Sequence, residues 1–239
     1  MMEDECVIIY DFDGTLTPYS LPKYEILKNC GYDENEFMSL VKDRMKKDNT
    51  SLYIAYFDVY REVLENYGLA FNKDNACFGA SQVKFNSGVN DYFRDLQYHN
   101  TGLKHIVITS GLKVYVDNTS IAQYLDGIFG TEFNETNGVY TDILELMTSE
   151  RKVDVIKSLQ DTTNAPFENI IYIGDGLTDK DAFCYVHKNG GKAILLCDDK
   201  ESDTYKQLNK ANIIDECFAK NFNKDSMLYK YIKKNIAFK

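Results

Sequence analysis

Residues 6–17 read CVIIYDFDGTLT, and the fold of the chain turns on how that stretch is understood. Val7, Ile8, Ile9 and Tyr10 form a short apolar run without polar alternation, the pattern of a strand covered on both faces in a parallel sheet. The run ends on two carboxylates one residue apart, Asp11 and Asp13, and turns away at Gly14. Carboxylates at the end of a buried strand are costly unless a cation or a shared proton compensates them, so the rest of the chain must supply one.

Three more runs of the same kind follow: HIVITSG at 105–111, NIIYIGD at 169–175 and AILLC at 193–197. Helical patterns over 89–98, 151–159 and 179–188 separate or follow them, and this alternation predicts an α/β fold with a parallel sheet. Between 118 and 151, GIFGTEF and GVYTDIL flank Asn137 and Gly138, which predicts one further strand followed by a hairpin excursion. The interval from 18 to 84 is nearly all helix-patterned. One helix starts at a cap on Asp33, and a second runs from Ser51 to a stop at Gly68. The expected organisation is a core of residues 1–17 and 85–239 with a helical cap of 18–84 inserted in it, and a last helix in 225–239.

Composition narrows the function. A content of 44% hydrophobic residues is ample for a packed interior, and 27 basic against 37 acidic residues give a net charge of -10. No Lys/Arg cluster marks a nucleic-acid or anionic-membrane surface; the run Lys42, Arg44, Lys46 and Lys47 reads as a solvated helix face. Six cysteines without CxxC or CxxH spacing fit reduced, mostly buried thiols. No signal pattern or membrane-length apolar run is evident, so a cytoplasmic protein is expected; oligomeric state is not readable.

The polar groups that break the apolar pattern all fall at the carboxyl ends of expected parallel strands: Asp11 and Asp13, then Thr109 and Ser110, then Asp175. That edge is where open α/β sheets bind ligands. GDGLTDKD at 174–181 adds Asp179 in the following loop or first helical turn. Several carboxylates at one edge call for a hard divalent cation, and Mg2+ accepts a few carboxylates while keeping waters and phosphate oxygens. Ser110, the amide of Gly111 and Lys152 are candidates to hold a phosphoryl group, with Asp11 as nucleophile and Asp13 as proton shuttle. His99, His105 and His187 lie outside every motif and read as structural or exposed. The aromatic residues of the cap, Tyr19, Tyr24, Tyr53, Tyr56, Phe57 and Tyr60, read as core packing, with one or two at most lining an entrance.

DFDGTLT, ITSG, Lys152 and GDGLTD, in that order and spacing, resemble the four motifs of the haloacid dehalogenase superfamily in its phosphatase branch. The resemblance implies a Rossmann-like core with an inserted helical cap. It also implies Mg2+ held by Asp11, the backbone carbonyl of Asp13 and Asp175, with Asp179 supporting the metal's water shell or Lys152. The expected activity is Mg2+-dependent hydrolysis of a small phosphorylated metabolite through an aspartyl phosphate. A phosphomutase or phosphotransferase, and a non-catalytic domain phosphorylated on aspartate or serving only for binding, are the alternatives. The layout from ITSG to GDGLTD is similar to the phosphoserine-phosphatase-like group. That group carries a glutamate for the substrate's ammonium in the cap segment where this chain has Ser20, with Glu25 one helical turn on as a substitute.

Overall fold

The computed structural model describes residues 5–19, 30–99, 102–163 and 165–236; Ser20, Tyr24 and Glu25 lie outside them. The runs singled out above become β1 (Cys6–Tyr10), β2 (Leu103–Leu112), β5 (Ile170–Gly174) and β6 (Lys192–Leu196). A seven-stranded sheet takes the order β4-β3-β2-β1-β5-β6-β7, where β3 is Gly127–Thr136, β4 is Val139–Glu145 and β7 is Glu216–Phe218. Every pairing is parallel except β3 with β4, which is the expected hairpin, with Asn137 and Gly138 both at positive φ in its turn.

β1 lies at the centre, and its continuous apolar run has a direct cause. Ile8 and Tyr10 face one layer, packed with Tyr92, Phe93 and Leu96 of α4 (Val89–His99) and Leu228, Tyr229 and Ile232 of α9 (Met227–Asn235). Val7 and Ile9 face the other, against Val155 and Ile156 of α6 (Ser149–Thr162), Phe183 and Val186 of α7 (Lys180–Lys188) and Leu208 of α8 (Asp203–Lys210). A strand buried on both faces has no polar alternation because neither face meets water. β7 and α8 have no counterpart in the expectations: three residues are too few for a period, and α8 is a short, polar helix.

Between β1 and β2 the helices α1 (Glu34–Asp48), α2 (Leu52–Asn66) and α3 (Lys73–Ser81) build a third apolar cluster. Asp33 caps α1 in a full capping box with Glu36, worth about 1 kcal/mol. Ser51 caps α2, whose buried Ala55, Val59, Tyr60 and Val63 recur at helical spacing. The cluster is not made by these helices alone. It also takes in Leu112, Tyr115 of α5 (Lys113–Asp117) and Tyr140 of the hairpin, with Phe133 against it. Tyr140 N–H donates to the Phe71 carbonyl, and Arg61 donates to the Thr141 carbonyl. All six cysteines are free thiols, but only Cys6 and Cys30 are buried; the other four are half-buried. No helix among the described residues is long and apolar enough to cross a membrane.

The core contains a buried histidine. His105 is 1% exposed, its Nδ1 is 3.0 Å from Tyr10 Oη, and burial pushes its imidazole down to about 4 against the opposing pull of the Asp126 carboxylate. The folded pKa lies below the ordinary 6.5. The unfolded chain therefore binds the proton first, so the associated stability is present above pH 6.5 and is lost as pH falls toward 4. Urea unfolding across this window is expected to show wild type losing roughly 3 kcal/mol more than His105→Phe. Parallel pH dependences for the two proteins would refute the assignment.

Candidate active site

The turn after β1 brings the first two carboxylates to the sheet's carboxyl edge. Asp11 N–H donates to the Ile173 carbonyl at 2.8 Å, which extends the pairing with β5 one residue past the strand. The chain then coils, with the amides of Thr15, Leu16 and Thr17 all directed at the Phe12 carbonyl. Gly14 sits at φ +81°, and a Cβ there would stand 2.3 Å from Asp175 Oδ2. The DFDG loop and the loop after β5 therefore touch only because residue 14 has no side chain.

Lys152, on the first turn of α6 behind the Thr148 cap, is fully buried and lies between two carboxylates. Its Nζ is 2.7 Å from Asp11 Oδ1 and 2.7 Å from Asp179 Oδ1. Burial alone would favour the neutral amine, but Asp11 and Asp179 outweigh it and hold the ammonium charged. Asp179 is 0% exposed and accepts further hydrogen bonds from Tyr172 Oη at 2.7 Å and from the amides of Asp175 and Gly176, both at 3.2 Å. Asp175 accepts from Thr15 Oγ1 at 3.2 Å and from Lys220 Nζ at 2.8 Å. Asp13 Oδ2 lies 3.4 Å from Thr109 Oγ1, which in turn accepts the Gly111 amide at 2.9 Å. Ser110 Oγ is buried and makes no hydrogen bond, while its carbonyl is fixed by Thr131.

The seven expected residues thus converge from the carboxyl ends of three strands, β1, β2 and β5, and one helix start. Three carboxylates, Asp11, Asp175 and Asp179, each offer an oxygen within 4.8 Å of the others. Burial pushes the Asp11 carboxyl well up, reinforced by Asp179 and opposed by Lys152; burial likewise raises Asp175 against the pull of Lys220. Four aspartates against two lysines leave surplus negative charge in a sparsely solvated place. An all-oxygen donor set with surplus negative charge fits a hard divalent cation such as Mg2+. Lys220, Tyr172 and Thr15 were not expected. Lys220 follows a three-residue strand and is separated from Asp175 by 45 positions, Tyr172 reads as a sheet residue, and Thr15 as a turn.

A cavity of about 240 Å3 opens over this edge, lined by Asp11, Asp13, Thr109, Ser110, Gly111 and Thr178 on the sheet side. Its other wall is Met38 of α1 and Leu52, Tyr53, Tyr56 and Phe57 of α2. Tyr60 packs in the cluster behind, as expected, but Tyr53, Tyr56 and Phe57 all face the cavity, more than the one or two allowed for. Tyr53 Oη also accepts the Ser149 amide at 3.1 Å, which ties α2 to the start of the helix that carries Lys152.

Comparison with protein families gives a match. The profile of the haloacid dehalogenase-like hydrolases matches residues 8–183, and the chain belongs to that family. Among solved structures, a phospho-aspartyl intermediate analogue of phosphoserine phosphatase superposes with a TM-score of 0.68 at 18% identity, covering 97% of this chain and 99% of that one. A hydrolase of the family from Salmonella enterica serovar Typhi gives 0.67 at 20%, over 90% and 68% of the two chains. Cytosolic 5'-nucleotidase IIIB bound to cytidine gives 0.56 at 15%, over 98% and 87%. No curated protein sequence matches significantly.

Proposed function

We propose that this protein is a Mg2+-dependent phosphatase of a small phosphorylated metabolite that works through an aspartyl phosphate on Asp11. The observation that carries the reading is the buried Asp11–Lys152–Asp179 chain at 2.7 Å per link, on the edge where Asp11 and Asp13 line one cavity. A structural ion pair needs neither a cavity beside it nor a second aspartate two residues on. Residues 18–84 act as a cap over residues 1–17 and 85–239, closing the site against bulk water.

In this mechanism Lys152 fixes one oxygen of Asp11, and the other attacks phosphorus. The bond from phosphorus to the ester oxygen breaks as Asp13 gives that oxygen its proton, and the alcohol leaves. Asp13, now a carboxylate, takes a proton from a water, whose oxygen attacks the same phosphorus. The bond to Asp11 breaks, inorganic phosphate leaves and both aspartates are restored. Ser110 Oγ, buried and lacking a hydrogen-bond partner, would donate to a phosphoryl oxygen, and the Gly111 amide, released from Thr109 Oγ1, and Lys152 would join it. Asp11, the Asp13 carbonyl and Asp175 would hold Mg2+, whose charge screens the nucleophile from the phosphate, and Asp179 would support its water shell or Lys152.

Phosphate release from a broad panel of phosphomonoesters is the test. Turnover is expected to need both Mg2+ and Asp11, vanishing on chelation and in Asp11→Asn. A folded, Mg2+-loaded protein that releases phosphate from no ester would refute the reading. An isomeric phosphate without free phosphate would instead identify a mutase, and an aspartyl phosphate lasting many minutes a signalling domain.

A further inference from the structure

The cavity over Asp11 has an uneven lining. The sheet side presents hydroxyls, a glycine and the two aspartates. Among the described residues the helical side presents five side chains, Met38, Leu52, Tyr53, Tyr56 and Phe57, of which three are aromatic and none is charged. Among the described residues no lysine or arginine lines the cavity. Phe57 is 4% exposed and locked edge-on between Tyr56 at 5.3 Å and Phe133 at 5.2 Å, so this wall is preformed. Tyr56 is in turn held by Phe37 at 5.2 Å, and burial keeps its phenol protonated.

A phosphomonoester whose phosphoryl group sits at Asp11 puts its alcohol half against that wall. Among the described residues of that wall no cation meets a carboxylate on the alcohol half, so stripping its water there is costly. A flat or branched apolar group would instead replace water on both partners. The cavity volume, about 240 Å3, lies below the ~300–1,000 Å3 of drug-sized sites. We infer that the substrate is a phosphomonoester whose alcohol half carries an uncharged aromatic or apolar group that packs on this wall. This rests on the phosphatase reading and narrows it.

The test separates the two. Calorimetric binding of benzylphosphonate and of 2-amino-4-phosphonobutanoate to the wild-type protein with Mg2+ needs no turnover. The aromatic phosphonate is expected to bind at least about tenfold more tightly, the discrimination a small apolar contact provides. Equal or reversed affinities overturn the inference, whatever the protein hydrolyses. The same preference without hydrolysis of any ester leaves the inference standing and refutes the phosphatase reading. In steady state, kcat/KM for benzyl phosphate is expected to exceed that for O-phospho-L-serine and glycerol phosphate by a similar factor. Met38→Arg, at a half-buried helix position, places a guanidinium on the apolar wall. It is expected to move the phosphonate preference toward the carboxylate-bearing compound by about tenfold, chiefly through KM. A folded Met38→Arg protein with unchanged preference also counts against the inference.

Discussion

Lys152→Met is expected to lower stability by about 3–5 kcal/mol in urea unfolding, the range seen when one partner of a buried ion pair is removed. The lysine is fully buried, and its ammonium is shared by Asp11 and Asp179, so its loss leaves two carboxylates facing each other without a cation. Methionine matches the stem's length and apolar character, so the cost reads charge and not cavity. Adding Asp179→Asn to Lys152→Met removes one of the two stranded charges and is expected to recover part of the loss. Turnover should be lost in both variants, because the nucleophile is no longer fixed. A change under about 1 kcal/mol, the scale of an exposed pair, would show that solvent reaches the cluster and that the burial argued for it is wrong.

Asp13→Asn is expected to slow turnover by about 10²–10⁴-fold, the usual contribution of a positioned acid or base. The loss should depend on the leaving group. Nitrophenolate departs without a proton, whereas an alkoxide does not, so initial phosphorylation of Asp11 should survive for p-nitrophenyl phosphate and fail for an alkyl ester. With the first ester a burst of nitrophenol followed by a halt is expected, because water is no longer deprotonated to clear the phosphoenzyme. Equal bursts of alcohol release from the two esters would remove Asp13 from the acid step. Asparagine still accepts from Thr109 Oγ1, which lies 3.4 Å from Asp13 Oδ2, so loop geometry is retained.

Much of this was legible in the sequence, for identifiable reasons. β1, β2, β5 and β6 announce themselves because strands buried on both faces leave no room for polar residues, and the residues that break the pattern at their ends are those that meet at the site. Lys152 stood out only through its place in an ordered set of motifs, since a lysine at a helix start is by itself unremarkable. Lys220 was invisible: it comes from a loop after a three-residue strand and reaches Asp175 through the order of strands, which local pattern does not encode. The cavity wall was undervalued for a related reason. Helical spacing tells which residues of α2 share a stripe, but Tyr53, Tyr56 and Phe57 sit where that stripe passes from cluster to opening, and only packing decides which side of the boundary each takes.

The apolar cluster of the cap helices reaches into the hairpin through Phe133 and Tyr140, with Leu112 and Tyr115 between. The helical wall of the cavity and the sheet edge beneath it are therefore not interchangeable parts. Transplanting residues 18–84 onto a related core would strand a phenylalanine and two tyrosines at the seam and break the main-chain link from Tyr140 to Phe71. On the reading proposed above, a change of substrate preference is easier to reach by point substitutions along α1 and α2 than by exchange of residues 18–84. The boundary that recombination would respect includes the hairpin, well over a hundred residues downstream of where the insert begins.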